Sequence, residues 1–154
     1  MSEMIMMELI ELAISKEIEA NEMYRDLAGR MDDSAVRETF EFLAKEEWKH
    51  KTFLEEYRDG KVSQSLALNS VVDYKIAEHT EKPQVLEHMS IKDAYLIASH
   101  AELDSYNLYM DLASSHEEGD AKNLLLKMAN EEKKHKEKVE YYYTNAAFPQ
   151  NSGG

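Results

Sequence analysis

The chain has 154 residues, of which 43% are hydrophobic and 32% charged, with only 5 glycines and 2 prolines. This length suits one domain with its own core, and the composition suits long helices better than sheets or disorder. The absence of cysteine excludes disulfides, thiolate metal sites and cysteine nucleophiles. The formal net charge of -13 argues against nucleic acid and anionic membranes as partners.

The N-terminal segment, 1–7, is apolar but short, and it has no basic region and no small-residue cleavage site. We therefore expect no signal peptide. No stretch approaches the roughly 18 uncharged apolar residues of a membrane span. These features predict a cytoplasmic protein with a single domain over residues 1–154.

Four segments show apolar residues at alternating steps of three and four, which is typical of amphipathic helices. They cover about 4–30, 34–58, 91–115 and 119–145. Ser34 and Ser90 are predicted N-caps, and Asp59 with Gly60 is a predicted helix stop. Short loops follow the first and third segments, which predicts two antiparallel helical hairpins.

A long connection and a polar tail complete the chain. Residues 61–89 lack a single strong period and suit a crossover along the length of a bundle, with a short helix predicted at about 66–78. Residues 146–154 contain Pro149 and end in Asn-Ser-Gly-Gly, which predicts a frayed tail. The predicted fold is all-α, an antiparallel four-helix bundle whose two hairpins are joined by the crossover.

Polar residues interrupt the apolar stripe of every predicted helix. On the second and fourth helices they form Glu-x-x-His, a spacing that places both side chains on one helix face. One such pair in an acidic helix is better explained as a solvated face, whereas two copies at matched positions favour a site. The six residues are Glu17, Glu47, His50, Glu102, Glu132 and His135.

The two hairpins are an internal repeat with an offset of 85 residues. Fourteen of the forty-five positions in 13–57 are identical to those in 98–142, whereas chance would give about three to four at ordinary residue frequencies. The identities include the polar positions of the stripes, such as Glu17 with Glu102 and His50 with His135. A four-helix bundle with a pseudo-two-fold axis follows from this repeat.

Four buried carboxylates would cost several kcal/mol each as ions and would also repel one another. No lysine or arginine lies on the same stripes, but two divalent metal ions would balance the four negative charges. Each ion would take one histidine and one terminal carboxylate, and two glutamates would bridge. Iron or manganese suits these oxygen and nitrogen donors, whereas the lack of sulfur argues against copper(I) and structural zinc.

The sequence allows two interpretations of the role of further residues near these positions. Tyr24 and Tyr109 lie two turns from Glu17 and Glu102, either as core phenols or as residues next to the metals. Glu46 and Glu131 are either solvated or orient the imidazoles. The other histidines have no repeat partner and are predicted to lie on the surface; they are His79, His88, His100 and His116.

At these residues the chain resembles the ferritin-like superfamily, and within it the rubrerythrin-type di-iron domain, over about residues 5–145. The family signature is Glu followed seven residues later by Tyr on the first and third helices, and Glu-x-x-His on the second and fourth. The resemblance implies two iron ions, with manganese or a mixed pair as alternatives. It also implies reaction with peroxide or dioxygen, an external electron-donor protein and a homodimer.

Two departures from the rubrerythrin pattern bear on the reaction. Ser105 stands where rubrerythrins carry an additional carboxylate, and this cysteine-free chain contains no rubredoxin-like domain. The remaining six ligands resemble bacterioferritin-type centres, which favours Fe(II) oxidation over peroxide reduction. The expected function is that of a non-haem di-iron oxidoreductase; the alternatives are a metal-binding or iron-sequestering bundle without turnover and a metal-free helical scaffold.

Overall fold

The computed structural model describes residues 3–61 and 73–147, and side chains from 7 to 146 within those ranges. It contains four α-helices: α1 (Glu3–Gly29), α2 (Ser34–Arg58), α3 (Ile91–Ser114) and α4 (Asp120–Ala147). Helix α1 packs along α2, and α3 packs along α4. The described ranges contain no strand, and none of their helices is both long and apolar enough to cross a membrane. The predicted all-α four-helix bundle is confirmed.

Local capping sets where the helices begin and end. Asp33, not the predicted Ser34, is the N-cap of α2, because its carboxylate accepts from Val36 N. Ser90 caps α3 as predicted and accepts from Asp93 N at 3.1 Å. Helix α2 stops where predicted: Gly60 has a φ of 73°, in the left-handed region that glycine adopts without steric cost.

The predicted bounds differ from the observed ones most at the end of α4. This helix takes in residues 146 and 147, which were predicted to belong to the tail; both are alanines, the residue with the highest helix propensity. Residues 148–154 lie outside the described ranges, as does most of the helix predicted at 66–78. The described part of the crossover holds one 3₁₀ turn at Ala77–His79.

The core consists of two apolar clusters, one toward each end of the bundle. The first surrounds Tyr24, Phe40 and Leu43, and the second surrounds Leu54 and Met128. The Glu-x-x-His elements lie between these clusters in sequence on both α2 and α4. Apolar packing therefore flanks the polar positions along the bundle, as the interrupted stripes predict.

A buried lysine fixes the crossover against α4. Lys136 is 2% exposed, and its Nζ lies 2.7 Å from Asp73, 2.9 Å from Glu78 and 3.1 Å from Glu140. Glu140 also accepts hydrogen bonds from Ala77 N and the hydroxyl of Ser99. These contacts satisfy the buried charges and hold residues 73–80 over the α3–α4 hairpin.

Candidate metal centre

The structure brings all six predicted site residues together in the interior of the bundle. Each helix contributes at least one of them, and each is between 0 and 6% exposed. Ligand atoms of these six residues form two groups, and a third group joins Glu46 to His50 and His135; the atoms of each group lie within 4.8 Å of one another. The first group is Glu17, Glu47, His50 and Glu132, and the second is Glu47, Glu102, Glu132 and His135. Glu47 and Glu132 belong to both groups, so either carboxylate could bridge two metal ions.

Both histidines direct Nδ1 at the carboxylates. His50 Nδ1 lies 3.0 Å from Glu132 Oε1 and 3.7 Å from Glu17 Oε2. His135 Nδ1 lies 2.6 Å from Glu47 Oε1 and 3.5 Å from Glu102 Oε1. The two rings are stacked, with centroids 5.3 Å apart and planes 7° from parallel. Each imidazole therefore contacts the shared glutamate of the opposite hairpin.

The free oxygen and nitrogen atoms of the site suit two divalent metal ions. Each of the four glutamates has one buried oxygen, Oε2, without a hydrogen-bond partner among the described residues. The four glutamates are Glu17, Glu47, Glu102 and Glu132. Buried polar atoms without a partner are costly and rare in folded proteins. Metal ions are the partners that four unpaired carboxylate oxygens and two imidazole nitrogens suit.

Two tyrosines hold the terminal glutamates by reciprocal hydrogen bonds. Tyr109 Oη donates to Glu17 Oε1 at 2.7 Å, and Tyr24 Oη donates to Glu102 Oε1. Both phenols are fully buried, at 0 and 1% exposure. The sequence placed each tyrosine beside the glutamate of its own helix, whereas each bonds the glutamate of the other hairpin. The tyrosines therefore tie the two halves of the centre together.

The carboxylates repel one another in the absence of metal. Burial, followed by repulsion from Glu132 and Glu17, raises the pKa of Glu47 to about 8. Burial and neighbouring carboxylates also raise the pKa of Glu102 and Glu132. Burial raises the pKa of Glu17 as well, but hydrogen bonds with Glu47 and His50 outweigh it and lower that pKa to about 2. Bound protons therefore balance part of the carboxylate charge when no metal does.

The same charges act on the imidazoles and phenols. Burial lowers the pKa of His50 and His135, but the surrounding carboxylates outweigh it and raise both values well above the usual range. Burial and the neighbouring carboxylates raise the pKa of Tyr24 and Tyr109 well above the usual range. The phenols therefore stay protonated and act as donors to the carboxylates.

Glu131 approaches the outer nitrogen of an imidazole. Its Oε2 lies 3.9 Å from His50 Nε2, which is an ion-pair distance longer than a hydrogen bond. This contact with His50 lowers the pKa of Glu131 to about 2, and Lys134, 2.9 Å away, also lowers it. Glu131 therefore faces the histidine of the opposite hairpin and not His135 on its own helix. It is placed to orient His50 with Nδ1 toward the candidate metal site.

Sequence reasoning missed two sets of buried polar residues. His116 was predicted to lie on the surface, but it is 7% exposed, and its Nδ1 lies 2.6 Å from Leu112 O. This residue follows the C-terminus of α3, where a ring nitrogen reaches the free carbonyls of the last turn. Lys136 and Glu140 were not singled out, although their spacing is the i,i+4 pattern of a helical ion pair.

The rubrerythrin family model matches residues 8–143 of this chain. Searches of curated proteins and of solved structures gave no significant match. The matched range contains all four helices' site residues, the two tyrosines and the crossover. The chain belongs to the rubrerythrin family.

Proposed function

We propose that this protein is a non-haem di-iron oxidoreductase that reacts with peroxide or dioxygen. The observation that carries the proposal is the matched pair of donor groups, in which four carboxylates each keep one oxygen free and two imidazoles direct Nδ1 at them. Two iron(II) ions held there would supply the reducing electrons for peroxide or dioxygen. Those electrons would return from an external electron-donor protein.

The protein's own residues prepare the centre for that chemistry. Tyr24 and Tyr109 hold one oxygen of each terminal glutamate and leave the other free. Glu131 beside His50 Nε2 favours the tautomer whose Nδ1 is unprotonated. The two apolar clusters on either side limit the entry of bulk water.

The second candidate function is metal binding or iron sequestration without turnover. The absence of a carboxylate at two equivalent positions in the groove between α1 and α3 favours this function. Ser105 and its repeat partner Ala20 both line this groove, so neither hairpin supplies a carboxylate one turn beyond its terminal glutamate. A centre without that carboxylate has fewer ways to rearrange its ligands during a reaction cycle.

Metal analysis followed by kinetics tests both candidates. After reconstitution with Fe(II), the wild type should hold about two metals per chain, and the Glu47→Ala, Glu132→Ala variant less than one. The iron-loaded protein should then consume many equivalents of peroxide or dioxygen when a reductant is present. A single equivalent per centre would support sequestration, and fewer than one metal per wild-type chain would contradict both candidates.

A further inference from the structure

An open groove lies between α1 and α2, and all the residues that line it belong to these two helices. Its volume is ≈ 490 Å³, and Asn21, Ala44 and Trp48 are among the residues that line it. Small-molecule sites have volumes of roughly 300–1,000 Å³ and mostly apolar linings with a few polar groups. This groove is of that size and has that mixture of residues.

Positive charge is concentrated around the groove. Arg25, Lys45 and Lys49 line it against one carboxylate, that of Glu41, and Arg37 lines an adjoining groove that shares Arg25 and Glu41. Within the described ranges, no ion pair involves Arg25 or Lys45. In a chain with a net charge of -13, two unpaired cations beside one groove favour an anionic ligand.

The groove also offers a flat aromatic surface and a free acceptor. Trp48, the single tryptophan of the chain, is 46% exposed. Lys51 Nζ lies over one face of its ring, 4.1 Å from the centroid, so a ligand would stack on the opposite face. Asn21 is only 8% exposed, and its Nδ2 donates to Ala44 O at 2.7 Å. Its Oδ1 accepts no hydrogen bond from a described residue. An indole suits stacking with a planar ring, and an amide oxygen suits an N–H donor on that ring.

The internal repeat shows that the fold itself does not require these residues. The positions equivalent to Arg25 and Lys45 in the α3–α4 hairpin are Met110 and Asn130, and Trp48 is replaced by Lys133. Met110 packs against the apolar cluster of that half. The same backbone therefore tolerates uncharged residues at these two places, and the cations and the indole distinguish the α1–α2 groove.

We propose that this groove binds a planar heteroaromatic phosphate of the mononucleotide class. The ring would stack on Trp48 and donate to Asn21 Oδ1, and the phosphate would lie between Arg25 and Lys45. An acidic protein surface would meet the same cations, but the net charge of -13 would repel it over its whole area. The proposal is independent of the metal centre, because none of these residues is a candidate metal ligand.

Titration of the full chain with flavin mononucleotide and with adenosine monophosphate tests the proposal. Calorimetry gives the Kd, and the emission of the single tryptophan reports whether the ligand reaches Trp48. We expect saturable binding of at least one nucleotide, with a Kd below about 1 mM and at least about tenfold tighter than that of inorganic phosphate. Riboflavin, which lacks the phosphate, should bind at least about tenfold more weakly than flavin mononucleotide.

The repeat supplies matched substitutions for this experiment. The double variant Arg25→Met, Lys45→Asn should weaken binding at least about tenfold, whereas Lys92→Asn at an exposed position on α3 should change the Kd less than about twofold. Thermal melting followed by circular dichroism checks that both variants are folded. Absence of saturable binding by both nucleotides, or equal Kd values for the double variant and the wild type, would overturn the proposal.

Discussion

Tyr109 Oη donates a 2.7 Å hydrogen bond to Glu17 Oε1, although the two residues lie 92 positions apart in the chain. Tyr24 makes the equivalent bond to Glu102 across the pseudo-two-fold axis. A hydrogen bond to a charged group contributes about 1.5–3 kcal/mol, and its loss leaves a buried carboxylate oxygen without a partner. These bonds therefore contribute to stability and also set the positions of the terminal glutamates.

Replacement of this phenol tests its contribution. We expect Tyr109→Phe to lower the free energy of unfolding of the metal-free protein by about 1.5–3 kcal/mol, measured by urea denaturation in the presence of a chelator. Tyr142→Phe is the matched control, because Tyr142 is only partly buried and packs against the core through its ring; it should change stability by less than about 0.5 kcal/mol. Equal effects of the two substitutions would contradict the assigned role of Tyr109.

The two glutamates shared by both donor groups should destabilise the protein when no metal is bound. Glu47 and Glu132 are both 0% exposed, and their charges repel each other. The variant Glu47→Gln, Glu132→Gln should therefore be as stable as the wild type or more stable in chelator. Manganese(II) at a hundred times its Kd should stabilise the wild type by about 2.7 kcal/mol and leave the variant unchanged.

A control pair separates this effect from a general loss of negative charge. Glu22 and Glu117 are exposed, so the variant Glu22→Gln, Glu117→Gln replaces the same number of glutamates without altering the interior. It should keep the full stabilisation by manganese(II). If the buried variant retained that stabilisation as well, Glu47 and Glu132 would not be metal ligands.

The clustering of the six site residues in the interior could be predicted because two periodic signals coincide in the sequence. Helical spacing placed Glu17 and Glu102 on buried stripes, and the repeat at offset 85 matched each polar residue with a partner. The bundle and the helix bounds followed from the same spacing. Periodicity describes one helix at a time, however, so it could not show that Tyr24 bonds the glutamate of α3 and not that of α1.

The sequence could not predict the difference in burial between equivalent lysines of the two hairpins. Lys51 with Glu55 and Lys136 with Glu140 are the same i,i+4 pair in the two repeats. In the structure Lys51 is 17% exposed, whereas Lys136 is 2% exposed beneath residues of the crossover. Which pair becomes buried depends on the path of the crossover, and that path is set by tertiary contacts and not by local spacing.

This asymmetry predicts unequal effects of one substitution made in the two repeats. Lys136→Met removes a buried cation and leaves the carboxylate of Glu140, which is 0% exposed, without its counter-charge. We expect a loss of about 3–5 kcal/mol in the free energy of unfolding. Lys51→Met breaks the more exposed ion pair with Glu55 and should cost about 0.3–0.5 kcal/mol. Equal losses in urea denaturation would contradict the difference in burial.

The contact between Asp73 and Lys136 predicts a dependence of stability on pH. Partial burial raises the pKa of Asp73, but hydrogen bonds with Lys136 and Lys75 N outweigh it and lower that pKa below the usual range. A pKa that is lower in the folded state stabilises the protein above the unfolded value, about 3.9. That contribution is lost as the pH falls through the folded value.

Comparison of the wild type with Asp73→Asn isolates this effect. At pH 6 to 7 we expect the variant to be less stable, and we expect the difference to shrink as the pH falls below about 4. Melting temperatures across that range provide the measurement, with Asp26→Asn as the control, because Asp26 forms an exposed ion pair with Arg30. A difference between wild type and Asp73→Asn that stays constant from pH 7 to pH 3 would show that the carboxylate charge is not involved.

Ser105 gives a test of which oxidant the proposed centre prefers. It lies one turn after Glu102 on α3 and lines a groove between α1 and α3 with Ala20, its partner in the repeat. A glutamate at position 105 would add a carboxylate beside Glu102, as in the rubrerythrin pattern. If that carboxylate promotes peroxide reduction, Ser105→Glu should raise the rate with peroxide relative to the rate with dioxygen.

We expect that ratio to rise at least about tenfold, which corresponds to about 1.4 kcal/mol in relative barrier height. Ser105→Gln is the control, because it has nearly the same shape without the charge and should leave the ratio within about twofold of the wild type. Both rates are measured on iron-loaded protein whose metal content is equal in all three forms. An equal rise in the glutamine variant would assign the effect to side-chain size, and an unchanged ratio in Ser105→Glu would show that this position does not determine the oxidant.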